Sequence, residues 1–280
     1  MNGDIIIFAM NFYQWFFLEE GRTPEGMFSF AHIASVTVTL ALFALIAIFC
    51  SKKLKTPKQR NAFLGIMGLF IVLVQIAKYI FLIHESDDTI WKVLIGNAPL
   101  YLCDMQIYII PIAFFTRGRA KNCCCDFIGI WGILMGVFGT YLAGNIYPVH
   151  SVISFAAINS LLNHAISLSA GLFVFLTGMN TMEKKNIPIV ISILVVFMTA
   201  ALIIDYVDNH NFMFFFDGGG TPFDLFKTLV NGNLPLYQLE IYILQCGYMG
   251  LFYLAYYLIT KQISRKKALK TAETSTETVE

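Results

Sequence analysis

Residues 28–50 read FSFAHIASVTVTLALFALIAIFC and run directly into residues 51–60, SKKLKTPKQR. The first segment has no Asp, Glu, Lys or Arg. It exceeds the roughly 20 apolar residues that a helix needs to cross a hydrocarbon core. The second is a basic cluster of Lys52, Lys53, Lys55, Lys58 and Arg60, the signature of a cytoplasmic loop. Together they define one membrane helix and its direction, outside to inside. Working outward, comparable apolar segments recur at 61–83, 97–115, 127–146, 151–179, 187–207 and 234–260. Basic residues return after the third (Arg117, Arg119, Lys121), the fifth (Lys184, Lys185) and the seventh (Lys261, Arg265, Lys266, Lys267, Lys270). The opposite side carries only Arg22, Lys92 and Lys227. The pattern predicts an all-α polytopic membrane helix bundle of seven transmembrane helices, N-terminus out and C-terminus in.

Composition agrees. Of 280 residues, 57% are hydrophobic and 13% charged, and the net charge is +1. Soluble domains carry about 25% charged residues, so an ordinary soluble enzyme is excluded. The near-zero charge offers no basic surface for nucleic acid. Residues 1–27 form an extracytoplasmic segment in which residues 5–17, IIIFAMNFYQWFF, are too short to span and read as an interfacial aromatic helix. No basic stretch precedes them, so they do not read as a standard signal peptide. Residues 28–260 are the membrane domain, and 261–280 a basic, then disordered, cytoplasmic tail.

The fourth span, with Gly129, Gly132, Gly136, Gly139 and Gly144, reads as a central, closely packed helix. The Cys123–Cys125 run reads as inert packing, with S-acylation as the alternative. Residues 96–104 (GNAPLYLCD) echo residues 232–240 (GNLPLYQLE), with Asn97 and Asn233 as helix N-caps. The echo leaves open either shared capping chemistry or two related halves.

Charged and polar groups within spans are costly and usually face the bundle interior. The candidates are His32, Lys78, Asp104, His164, Asp205 and Glu240, most of them toward the outer ends of their spans. Lys78 reads more readily as snorkelling to the outer headgroups. In the fifth span Asn159, Ser160, Asn163, His164 and Ser167 form an inward polar stripe. Cys103, His164 and a carboxylate from Asp104 or Glu240 are the parts of a nucleophilic site. Rise along the helices permits Cys103 and His164 to meet, whereas a helical third span turns Asp104 about 100° away from Cys103. No metal-ligand cluster and no phosphate-binding loop stands in the sequence, so no metal or other cofactor is expected.

On LYLCD (Leu100 to Asp104), the glycine-rich FIGIWGILMGVFGTYLAG, His164 and NHNFMFFF followed by NLPLY, the chain resembles the YwaF-like integral membrane proteins. These are related to eukaryotic seven-span phospholipid acyltransferases. The resemblance implies acyl transfer through a Cys nucleophile with a His, which map onto Cys103 and His164. It implies membrane lipids as partners, a lipid or acyl substrate, and the bacterial cell membrane as location. The family pattern before the cysteine is Leu-Pro-x-His-x-Cys, and here Tyr101 stands in the place of that histidine. Tyr101, His32, Asp104, Asn163 and Glu240 are the expected binding residues. The competing reading is a transporter or ligand-binding membrane protein with an extracytoplasmic-facing polar pocket. A seven-span receptor ranks last.

Overall fold

The computed structural model describes residues 10–219, 221 and 223–277, with side chains described through residue 262. Its helices are α1 (Phe30–Lys53), α2 (Pro57–Glu85), α3 (Ile90–Gly96), α4 (Gln106–Phe115), α5 (Gly118–Tyr141), α6 (Phe155–Thr177), α7 (Ile187–Asp208), α8 (Phe223–Leu229) and α9 (Leu234–Glu277). Residues 10–16 are also helical, while residues 5–9 of the expected interfacial helix lie outside the described residues. No strand occurs among the described residues. Six helices are long and apolar enough to cross a membrane: α1, α2, α5, α6, α7 with its leading turn, and α9 as far as Gln262.

Local chemistry sets the helix ends. Ser29 accepts from the His32 N–H to start α1, and Thr56 with Gln59 forms a reciprocal capping box ahead of Pro57. Ser154 caps α6 through the Ala157 N–H, and Gly178 ends it at φ 67°, a conformation that glycine adopts without cost. The fourth span starts at Gly118 rather than 127, because Arg119 and Lys121 occupy the first turn of the helix. The tail departs from expectation as well. The chain stays helical from 261 through Glu277, because good helix formers such as Lys266, Lys267 and Ala268 extend a helix already nucleated in the apolar segment.

α5 and α6 form the centre. Two-thirds (67%) of the apolar window of each is buried, against 17% for α1 and α9. A Cβ on Gly132 would overlap the Ser167 carbonyl, so its absence lets the two backbones meet. Cys123, Cys124 and Cys125 are all buried in this packing, which closes them to acylation.

The third expected span, 97–115, is not one helix. Asn97 closes α3 instead of opening a helix, its N–H bonding back to Val93 and its side chain to the same carbonyl. Pro99 lacks an N–H and disfavours helical backbone at Ala98. Turns then run to Met105, and α4 spans only Gln106–Phe115. Asn233, by contrast, does accept from the Leu236 N–H at the start of α9. The two copies of the echo therefore adopt different structures.

Residues 13–25 lie across the side opposite the basic loops. Phe17 packs on Phe81 and Phe155 at ring separations of 5.5 and 5.1 Å. Tyr13 donates to Glu85. Glu19 engages His150 and the Ser151 N–H, both at 2.7 Å. Glu25 accepts from the Ser151 hydroxyl and the Val152 N–H, both at 2.9 Å. Burial works against the Glu25 carboxylate, but the Val152 N–H, its own N–H, the Ser151 hydroxyl and Arg22 together hold its pKa below the ordinary value.

Candidate functional site

A cavity of about 700 Å³ opens between α2, the 97–105 turns, α5, α6 and the 213–223 loop. It lies in the part of the bundle remote from the basic loops. Its walls include Phe81, Leu82, Leu134, Phe138 and Phe155. Its polar groups include Lys78, Cys103, Asp104, Asn163, His164 and Gln245.

The broken third segment brings Cys103 and Asp104 to this hollow. Non-helical backbone at membrane depth is tolerated where it lines a cavity or is buried in protein. Because residues 101–105 are turns, the angular separation expected of a helix does not apply. The Cys103 Sγ lies 3.8 Å from the Asp104 Oδ1, a pairing that a continuous helix would have forbidden. Asn163 donates to the same oxygen at 2.8 Å. No hydrogen bond reaches the Asp104 Oδ2 from the described residues. Lys78 and His164 both act electrostatically on Asp104, and Lys78 also on Cys103.

His164 is buried, and its Nδ1 lies 2.8 Å from the Ser160 carbonyl. A carbonyl can only accept, so Nδ1 carries a proton, and when the ring is neutral its lone pair is on Nε2. That nitrogen has no hydrogen-bond partner among the described residues. It lies against Gly139, where a Cβ would collide with Nε2 and Cδ2. Gly139 thus makes room for the imidazole. The hydrogen bond that orients the ring is to the Ser160 carbonyl, not to a carboxylate of Asp104 or Glu240. No hydrogen bond joins Sγ to the imidazole; the two side chains line the same cavity, Cys103 hydrogen-bonded to Asp104 and His164 to the Ser160 carbonyl.

Other expected residues fall in different places. Tyr101 lines the cavity, its ring 5.1 Å from that of Phe212. His32 does not line it. Its Nδ1 accepts from the Phe28 N–H at 2.9 Å, its Nε2 faces the Thr140 carbonyl at 3.2 Å, and its ring packs 3.9 Å from Tyr147. Nε2 ties α1 to α5 and Nδ1 holds the turn ahead of α1, so both nitrogens are occupied. Glu240 is also absent from the lining, and its Oε2 is buried without a partner. Asp205 is buried and accepts from the Phe212 N–H at 2.7 Å, closing the turn after α7.

Two groups escaped sequence reasoning. Gln245 reaches the cavity from α9, its Oε1 buried and unpaired, and its only signal was a polar residue within an apolar span. Asp126, hidden beside the cysteine run, is another buried carboxylate, and it does not line the cavity. It accepts from the Thr181 and Met182 N–H groups at 2.8 Å, from Asn186 at 3.0 Å and from the Tyr253 hydroxyl at 3.4 Å.

No curated protein and no solved structure matches the chain. A family match does cover most of it, residues 27–259, and agrees with the six long apolar helices in marking a multi-pass integral membrane protein. The chain belongs to the TMEM164 family, a family of membrane proteins.

Proposed function

We propose that this protein is a membrane lipid acyltransferase with Cys103 as nucleophile and His164 as base. The observation that carries the reading is the opening of Cys103, Asp104 and His164 onto one largely apolar hollow, with the His164 Nε2 unpartnered. In the first step Sγ attacks the carbonyl carbon of an acyl ester and its proton passes to Nε2. The ester C–O bond breaks, the leaving oxygen takes the proton back, and the acyl group remains as a thioester on Cys103. In the second step a hydroxyl of an acceptor lipid attacks the thioester through the same base, and the thiol is regenerated. Asp104 positions the thiol and Asn163 positions Asp104.

This reading fits the resemblance to YwaF-like proteins and their acyltransferase relatives. The departure at Tyr101 removes one histidine of that pattern and leaves His164 as the base. The reading also assigns seven passes, counting the 97–115 segment as a broken one, with the N-terminus outside and the C-terminus in the cytoplasm of a bacterial cell. Labelling Arg22→Cys and Lys267→Cys variants in intact cells with an impermeant maleimide tests this. The first should react and the second should not. Transport is the weaker reading, because every cavity-lining side chain belongs to the half of the bundle remote from the basic loops.

The decisive experiment incubates the purified full chain with phospholipid carrying an isotope-labelled acyl chain and follows intact mass. A hydroxylamine-labile acyl adduct, lost in Cys103→Ser and stalled in His164→Ala, is expected. No adduct, or an adduct unaffected by Cys103→Ser, overturns the proposal.

A further inference from the structure

An ammonium within a helix bundle is costly unless a partner neutralises it. Lys78 projects from α2 into the cavity, a turn from Gln75 on one side and from Leu82 on the other. It makes no hydrogen bond and no ion pair with any described residue. Asp104 influences it only through space: no ion pair joins the two, and the hydrogen bonds that the carboxylate does accept come from Asn163 and the Cys103 thiol. The ammonium therefore keeps three donors available in the hollow that holds the nucleophile. Phe81, Leu82, Phe138 and Phe155 wall the same space. An occupant made only of hydrocarbon would leave the charge bare. Water alone would leave the aromatic walls wet. An amphiphile with an anionic head satisfies both.

We infer that Lys78 anchors the anionic oxygen, phosphate or carboxylate, of an amphiphile whose chain lies along the apolar wall beside Cys103. The inference deepens the acyl-transfer reading by assigning the group that selects the occupant. It replaces the snorkelling role that the position of Lys78 near a helix end favours. It also differs from a lysine that merely balances Asp104, because the two groups do not touch.

The test is equilibrium binding to the full chain in uncharged maltoside micelles. The probes are hexadecyl phosphate, hexadecanoate and the uncharged, chain-matched hexadecanol. At least one anion should bind about tenfold or more tightly than the alcohol, as expected of a charge-assisted hydrogen bond. Preference for the phosphate identifies a phospholipid head, and preference for hexadecanoate identifies a free fatty acid. Lys78→Met should reduce the anions to the level of the alcohol, while Lys78→Arg should retain most of the difference. The double variant Lys78→Met/Asp104→Asn should remain weak. Equal binding of all three probes by the wild type overturns the inference without any variant having to fold. Recovery of anion binding in the double variant also overturns it, in favour of charge balancing. Because binding is read without turnover, a Cys103 thioester in a charge-blind protein sinks this inference alone. Charge-selective binding without a thioester sinks acyl transfer alone.

Discussion

Asp104 and Asp126 are both buried carboxylates in the same bundle, and they are built in opposite ways. Asp126 is saturated: two backbone N–H groups and the Asn186 amide reach it, with the Tyr253 hydroxyl at longer range. It knots α5 to the loop before α7 and to α9. Asp104 receives one amide and one thiol on a single oxygen and faces a cavity. Burial does not separate the two; the completeness of their hydrogen bonds and the cavity beside Asp104 do. A buried polar group left unfinished is costly, which makes the incompletely bonded Asp104 beside a cavity the one to test for a role in the proposed reaction.

Substitution should separate the two. Asp126→Ala orphans two backbone donors and Asn186, and should cost about 3 kcal/mol or more of stability. Thermal unfolding in detergent measures this, and a shift no larger than that of a surface variant would erase the contrast. Asp104→Asn should leave unfolding nearly unchanged while thioester formation falls about a hundredfold, the order that misplacing a reacting group costs. A matched loss of stability would make Asp104 a second Asp126. Gly139→Ala pushes on the His164 ring and should cost about 1–3 kcal/mol as an overpacked site, together with a several-fold loss of rate. The smallest effect belongs to Glu25, an acid outside the bundle. Its lowered pKa means that its hold on Ser151 and Val152 is complete above the ordinary carboxylate value and is lost as pH falls through the lower folded one. Protease sensitivity of residues 10–28 should therefore rise on acidification below the ordinary carboxylate range, and Glu25→Gln should reduce that dependence, leaving the part due to Glu19.

Much of the bundle was legible because long apolar runs and basic loops answer to membrane thickness and charge, which act locally along the chain. The break in the third segment was not. Asn97 and Pro99 fit either a helix start or a helix stop, and the tertiary contacts of the segment (Asn97 with Tyr79, Tyr101 with Phe212, Asp104 with Asn163) are not visible in the sequence. The same break hid the Cys103–Asp104 contact, since helical geometry was the premise that separated them. Asn163 and His164 stood out because a polar stripe at helical spacing must face inward. Lys78 did not, because snorkelling and lining a cavity place a lysine at the same height. His32 and Glu240 have the right height and the wrong azimuth, which the neighbouring helices set and the hydropathy pattern does not report.

The brevity of α4 has a consequence for biogenesis. Ten residues extend about 15 Å, half the thickness of the oily layer. Such a piece partitions poorly by itself, so the translocon must hold it, or leave it at the surface, until α6 emerges to shield its ragged end. Assembly of this protein therefore depends on the order in which its helices are synthesised, and a chain truncated before residue 155 should fail to retain its third segment in the bilayer.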